Sequence, residues 1–149
     1  MKPRERLITA LKREEPDRVP IDLGGSTVTG IHVLAYRELK KLLGLESGNI
    51  RARDYRQLLA EPEKEVIEHL GVDVIDIERT LPPSLDSIQG GGTWKKWFWK
   101  ERGVEVELCD SVEVEDAGDH YILREKVSYT RPRFTYATVS YTHLTLPTN

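Results

Sequence analysis

The chain has 149 residues, of which 32% are charged and 38% hydrophobic, and its formal net charge is −3. This composition favours a soluble globular protein over a disordered chain, and without an apolar run of about 18 residues it predicts no membrane-spanning helix. The negative charge argues against a nucleic-acid-binding protein, while the charged N-terminus and the single cysteine, Cys109, predict a cytoplasmic location.

Helix and strand patterns alternate over residues 1–80. Leu7, Ala10 and Leu11 have helical spacing, an apolar stripe from Ile31 to Leu43 marks the clearest helix, and a β-branched run follows Gly71. This order begins a βαβ progression, in which parallel strands need further neighbours in the sheet. The predicted helices span residues 3–13, 30–43, 54–60 and 62–70, and the predicted strands span residues 18–23 and 72–77.

The pattern changes after residue 80. Prolines and glycines indicate loops, and then a tryptophan-rich run and the alternating residues 104–108 predict an antiparallel hairpin that turns near Gly103. A second turn is predicted at residues 116–119. The domain assignment is therefore residues 1–80 for the α/β part, 81–126 for the loop and hairpin, and 127–149 for a doubtful tail.

Three stretches of the α/β part carry a family resemblance. They are RERLITALKREEPDRVPIDLGG at residues 4–25, STVTGIHVLAYRELKKLLGL at residues 26–45 and EVIEHLGVDVIDI at residues 65–77. Together they resemble the N-terminal part of the uroporphyrinogen decarboxylase superfamily, in particular its corrinoid methyltransferase-like branch. That family has a TIM-type (β/α)8 barrel, a fold of about 250 residues. The resemblance therefore implies an α/β fold that is the N-terminal portion of a partial TIM barrel, with an antiparallel β-hairpin insertion.

The final segment, Val139–Asn149, resembles something other than a protein family. One reading frame of the adapter used in transposase-built sequencing libraries encodes VSYTHLTLPT, which matches ten consecutive residues of this segment. The sequence VSYT also occurs at residues 127–130. We therefore expect that the gene was cut inside its reading frame, and that the chain is an N-terminal fragment of a longer parent.

The resemblance implies a ligand site at the carboxyl end of the first strand, because barrel enzymes place their active sites there. That position holds Asp22, Gly24, Gly25, Thr29 and His32. The glycines allow close approach of a ligand, a helix start near Thr29 suits an anion, and the imidazole can bind, orient or transfer a proton. The alternative is structural: a Gly-Gly turn, Ser and Thr caps, and a histidine that packs at the helix start. No catalytic residue is assigned.

The resemblance also implies the chemistry of the parent, a corrinoid- and zinc-dependent methyltransferase-like enzyme that acts on a small-molecule substrate or a corrinoid protein. The zinc ligands of that family, a His-x-Cys pair and a later cysteine, lie in the C-terminal part of the barrel. No cofactor or metal site is therefore predicted within this chain, and the fragment by itself is expected to be inactive. Cys109 is interpreted as a packed thiol.

Two alternatives remain open. Uroporphyrinogen decarboxylase, the enzyme of porphyrin biosynthesis, carries arginines after the first strand that hold substrate carboxylates, and here that stretch reads DLGGSTVTG. Its aspartate after the second strand falls near Arg79 or Thr80, just beyond Asp76 and Glu78. The other alternative is a non-catalytic binding module for a corrinoid protein. Such a module should unfold cooperatively as a monomer, whereas a truncated barrel should aggregate or bind hydrophobic dye.

Overall fold

The computed structural model describes residues 1–26, 28–76, 93–126 and 136–142. The chain divides into two compact units, Met1–Pro82 and Pro83–Asn149. The described residues form a mixed α/β protein with three α-helices and small antiparallel sheets, and they include no closed barrel. None of the helices in the described ranges has the length and apolar character needed to cross a bilayer. The predicted boundary after residue 80 lies outside the described residues.

Unit 1, Met1–Pro82, contains helices α1 (Pro3–Leu11), α2 (Val33–Leu42) and α3 (Lys64–Leu70). They confirm three of the four predicted helices, each shorter than expected. The helix α1 ends before Arg13, which has a positive φ of 63°, and α3 ends at Gly71 in the left-handed conformation. These C-terminal residues are local stop signals, since a left-handed residue cannot continue the helix.

The buried face of α2 differs from the predicted apolar stripe. Its buried side chains are Val33, Tyr36 and Lys40, whereas Leu42 is 87% exposed. Lys40 is buried because its ammonium donates to the carbonyl of Ser47 at 2.7 Å and pairs with Glu63. A buried charge with good partners can therefore replace a leucine on the inner face of a helix.

The helix predicted at residues 54–60 is wrong. This segment is an antiparallel hairpin of β1 (Ala52–Asp54) and β2 (Leu59–Ala60). The Asp54 carboxylate accepts the N–H groups of Arg56 at 2.7 Å and of Gln57 at 3.1 Å, and Leu58 takes a positive φ of 49°. An aspartate that bonds to its own following N–H groups favours a turn over a helix, which explains the error.

The two predicted strands of unit 1 meet in the expected parallel direction but form only a short contact. Asp22 and Val74 form a parallel bridge, and the Asp73 N–H donates to the Ile21 carbonyl at 2.8 Å. Pro20 has no N–H to donate, and the Ile21 N–H donates to the Asp73 carboxylate at 3.0 Å instead of to a carbonyl. As a result, fewer main-chain hydrogen bonds join the two strands, and their regular pairing is short. Ile77 lies outside the described residues.

A network of ion pairs joins α1 to this parallel pair. The side chain of Asp73 has 0% exposure and accepts from Arg18 at 2.7 Å and from Arg6. Arg6 also makes two hydrogen bonds to Asp17, at 2.6 and 2.8 Å. The hydrogen bond from Arg6 is the main reason that the pKa of Asp17 is lowered. Burial alone would raise the pKa of Asp73, but the Ile21 N–H and the arginines bring it below its ordinary value. Both carboxylates therefore remain charged.

Unit 2, Pro83–Asn149, consists of antiparallel sheets in its described residues. The strands β3 (Trp94–Trp99) and β4 (Val104–Cys109) form the predicted hairpin, which turns at Gly103 with a φ of 56°. A second sheet has the order β5-β6-β7 and includes the predicted turn at residues 116–119. Its strands are β5 (Val112–Asp116), β6 (His120–Lys126) and β7 (Tyr136–Thr142).

The core of unit 2 lies between these two sheets. Trp97 stacks on Trp99 with ring centroids 5.5 Å apart. It also forms a T-shaped contact with Tyr121 on β6, with ring centroids 5.3 Å apart. Such aromatic contacts add to the stabilisation that burial of the rings supplies. The buried aliphatic side chains are Val104, Val106, Leu108, Val112 and Leu123.

Part of the segment that resembles adapter sequence, Val139–Thr142, lies in β7 and pairs with β6. Almost any sequence can form such main-chain hydrogen bonds, and the adapter origin of the segment stays a prediction. Residues 127–135 and 143–149 lie outside the described residues.

Candidate functional site

The structure brings four of the five predicted site residues into one hydrogen-bonded loop after the first strand. The Asp22 carboxylate accepts the Gly25 N–H at 2.9 Å and the Thr29 hydroxyl at 3.1 Å. The Gly24 N–H donates to the Thr29 carbonyl at 3.0 Å. Asp22 and Thr29 therefore hold the loop in shape, and the exposed aspartate lies at its surface.

The two glycines are required by their surroundings. Gly24 has a φ of +78°, and a Cβ atom there would lie 3.0 Å from the ring of Pro62. A Cβ atom on Gly25 would lie 2.5 Å from the Asp22 carboxylate and 2.8 Å from a methyl group of Val74. These distances are shorter than normal carbon contacts, so the loop backbone packs directly against the end of the second strand.

His32 occupies the N-cap position of α2. Its Nδ1 atom accepts the Leu34 N–H at 3.2 Å, and the Val33 N–H donates to the Leu58 carbonyl at 2.8 Å. The helix therefore begins at Val33 rather than near Thr29, and its first two N–H groups already have partners. An Nδ1 atom that accepts a hydrogen bond carries no proton, so the neutral ring is protonated on Nε2. Proton transfer through Nδ1 would require the cap to open.

Two charged residues that were not predicted for the site lie beside the loop. Arg53 forms an ion pair with Asp76, and its Nη1 atom lies 3.4 Å from the Gly24 carbonyl oxygen. The side chain of Asp76 is 8% exposed and that of Arg53 is 24% exposed. Asp76 follows two residues after Val74, which forms the parallel bridge with Asp22. Strand alternation could have identified Asp76, whereas the incorrect helix at residues 54–60 obscured the position of Arg53.

The site therefore combines the guanidinium of Arg53, the shielded carboxylate of Asp76 and the exposed carboxylate of Asp22. These groups lie at the carboxyl ends of two parallel segments. Such groups can bind and orient a polar ligand through hydrogen bonds. In the ranges that the structure describes, no three His, Cys, Asp or Glu side chains are grouped to hold a metal ion.

A separate depression of about 300 Å³ lies near the start of α3. Its charges are mixed, and Glu63 within it is already paired with Lys40. It therefore gives no comparable indication of a ligand. Its lining residues are Gly48, Asn49, Arg51, Glu61, Glu63, Lys64 and Glu65.

With this geometry established, comparison of the chain with models of known protein families, with curated proteins and with solved structures gives no significant match.

Proposed function

We propose that unit 1 is the N-terminal part of a (β/α)8-type barrel of the uroporphyrinogen decarboxylase superfamily, and that the Asp22–His32 loop is one side of its ligand site. The parallel bridge between Asp22 and Val74 carries this proposal. The helices α2 and α3 lie between these two segments in the chain. Parallel strands joined through helices are the repeating arrangement of such a barrel. Polar side chains follow at the carboxyl ends, where barrel enzymes bind their ligands.

Exposed apolar side chains on the parallel pair support the same proposal. Val19 is 78% exposed, Ile21 is 38% exposed and Ile75 is 55% exposed. β-branched side chains of a strand are normally covered by a neighbouring layer. Further β/α units would cover these residues in a whole barrel.

Within the superfamily, we propose a corrinoid- and zinc-dependent methyltransferase-like enzyme of the cytoplasm for the parent protein. Its zinc ligands would come from outside this chain. The arginine that contacts the loop, Arg53, is already paired with Asp76. Recognition of a substrate with many carboxylates relies on guanidinium groups that face the ligand in bidentate geometry. The pairing of Arg53 therefore favours the methyltransferase over uroporphyrinogen decarboxylase.

An assay of the proposed full-length parent protein tests this proposal. We expect zinc-dependent methyl transfer from methylcobalamin to a thiol, followed by the change in corrinoid absorbance. Uroporphyrinogen should remain unchanged in the same preparation. Decarboxylation of uroporphyrinogen without methyl transfer would establish the alternative enzyme and contradict the proposal.

The third candidate, a binding module for a corrinoid protein, makes a different prediction for the 149-residue chain itself. A part of a barrel should bind a hydrophobic dye and self-associate through its exposed apolar residues. A self-sufficient module should be monomeric, bind no dye and unfold in one cooperative transition. Gel filtration and dye fluorescence distinguish the two.

A further inference from the structure

We infer that Arg53 is the positioning residue of the candidate site, and that it acts by fixing the Gly24–Gly25 loop to the end of the second parallel segment. This inference depends on the proposed function only for the statement that the loop binds a ligand. The position of the loop itself can be measured without any ligand.

The backbone around Arg53 is the first observation. Ala52 pairs with Ala60 and Asp54 pairs with Leu59, so Arg53 is the extra residue of an irregularity in the β1–β2 hairpin. A bulge of this kind changes the direction of a side chain, and such bulges are frequent next to active sites. Here the side chain reaches Asp76 and Gly24.

The contacts of the guanidinium are the second observation. The hydrogen bonds of Asp22 and Thr29 close the loop on itself. Arg53 is different because it joins a carbonyl of the loop to a carboxylate on the neighbouring segment. Both partners of the ion pair are largely shielded from solvent, and a charge-assisted bond is stronger there than on the surface.

Loss of Arg53 should therefore affect the loop and leave the rest of unit 1 in place. The internal hydrogen bonds of the loop should open more often, and its distance from Asp76 should become variable. A ligand that contacts both the loop and the second segment would then meet a less ordered site.

Hydrogen exchange measured by mass spectrometry tests this inference on the 149-residue chain. In Arg53→Gln, amide exchange should accelerate about tenfold in peptides covering residues 20–31, while peptides from α1 remain unchanged. The matched control is Arg56→Gln, since Arg56 is exposed and its guanidinium lies 5.4 Å from the centre of the Tyr55 ring. This control should leave residues 20–31 unaffected.

Two further variants distinguish positioning from general stabilisation. Asp76→Asn should accelerate the same peptides, and the double variant should exchange no faster than either single one. Arg53→Lys, which preserves the charge but not the planar fork, should give intermediate exchange and serves as the test if Arg53→Gln does not fold. Unchanged exchange at residues 20–31 would overturn the inference, as would equal acceleration throughout unit 1. Neither result depends on the methyl-transfer assay, so the proposed function can fail independently.

Discussion

The two units of this protein are stabilised in different ways. In unit 1, charged side chains connect distant parts of the chain, as Arg6 does when it pairs with Asp73, 67 residues further on. In unit 2, β3 pairs with β4 and β5 pairs with β6, each with its neighbour in the chain. Antiparallel strands that are neighbours in the chain can form a core when apolar and polar residues alternate along each strand. A parallel arrangement depends instead on contacts between distant residues, which the local sequence does not encode.

The exposed apolar residues show the same contrast. Among the described residues, unit 2 exposes Phe98, whereas unit 1 exposes a larger set. The apolar face of an antiparallel hairpin can be covered by packing against a second sheet. A short parallel pair needs further strands and helices to cover its apolar side chains. The exposed large hydrophobic residues of unit 1 are Met1, Leu11, Val19, Ile21, Val28, Leu42 and Ile75.

The largest expected effect concerns the apolar core of unit 2. Leu123 has 0% exposure, so Leu123→Ala should lower the free energy of unfolding of unit 2 by about 2–5 kcal/mol. The three tryptophans, Trp94, Trp97 and Trp99, all lie in β3, so their fluorescence reports on this unit. Ile122→Ala, at the neighbouring half-buried position, is the control and should have a smaller effect. An equal loss in both variants would contradict a core between the two sheets.

The next effect concerns the ion pairs of unit 1. Asp73→Asn removes the charge that Arg6 and Arg18 share, and it should destabilise unit 1 by about 1–3 kcal/mol. The described α-helices all belong to unit 1, so circular dichroism at the α-helix band measures this loss. Glu14→Gln, at an exposed position, should leave the signal unchanged. A shift in tryptophan fluorescence without loss of helix would argue against the assignment of this network to unit 1.

The units should also respond to opposite extremes of pH. The pKa values of Asp17 and Asp73 are lowered by folding, so their contribution is complete above the unfolded pKa of about 4 and is lost as the pH falls further. Burial and the hydrogen bond to Glu101 raise the pKa of Tyr121 to about 12. Its contribution is complete below the unfolded pKa of about 10 and is lost as the pH rises towards about 12.

Helix and tryptophan signals recorded across pH separate these two responses. Acid should reduce the helix signal, and Asp73→Asn should flatten that dependence. Alkali should change the tryptophan signal, and Tyr121→Phe should flatten the alkaline change. Loss of both units at the same pH would contradict this prediction. It would show that the aspartates of unit 1 and Tyr121 of unit 2 do not set the pH dependence of the two units.

The smallest effect concerns the cap of α2. His32→Ala should destabilise unit 1 by about 1 kcal/mol, whereas His32→Asn should retain most of the stability because its side chain can accept the same N–H. Urea unfolding followed by circular dichroism measures the difference. Equal stability of the two variants would show that the cap contributes little, and would leave His32 open to a role in ligand binding.

The sequence-based predictions succeeded where local signals decide the structure and failed where contacts between distant residues decide it. The hairpin that turns at Gly103 and the turn near Gly118 were predicted because alternating residues and glycines are local signals. Asp22 and Gly24 were predicted to bind a ligand. The structure places them in one loop at a strand end, and the ligand binding itself stays a prediction. Arg53 was missed because residues 54–60 were predicted to form a helix, whereas the Asp54 turn and the left-handed Leu58 produce a hairpin.

The amino-acid sequence by itself determined the positions of three helices, the antiparallel hairpins of unit 2 and the glycine-rich loop, since spacing, capping and turn residues act over a few neighbours. Only the tertiary structure decided that Arg53 meets Asp76 and that Asp73 meets Arg6. The energy of an ion pair depends on distance and on shielding from water, and both are established only when distant segments pack together.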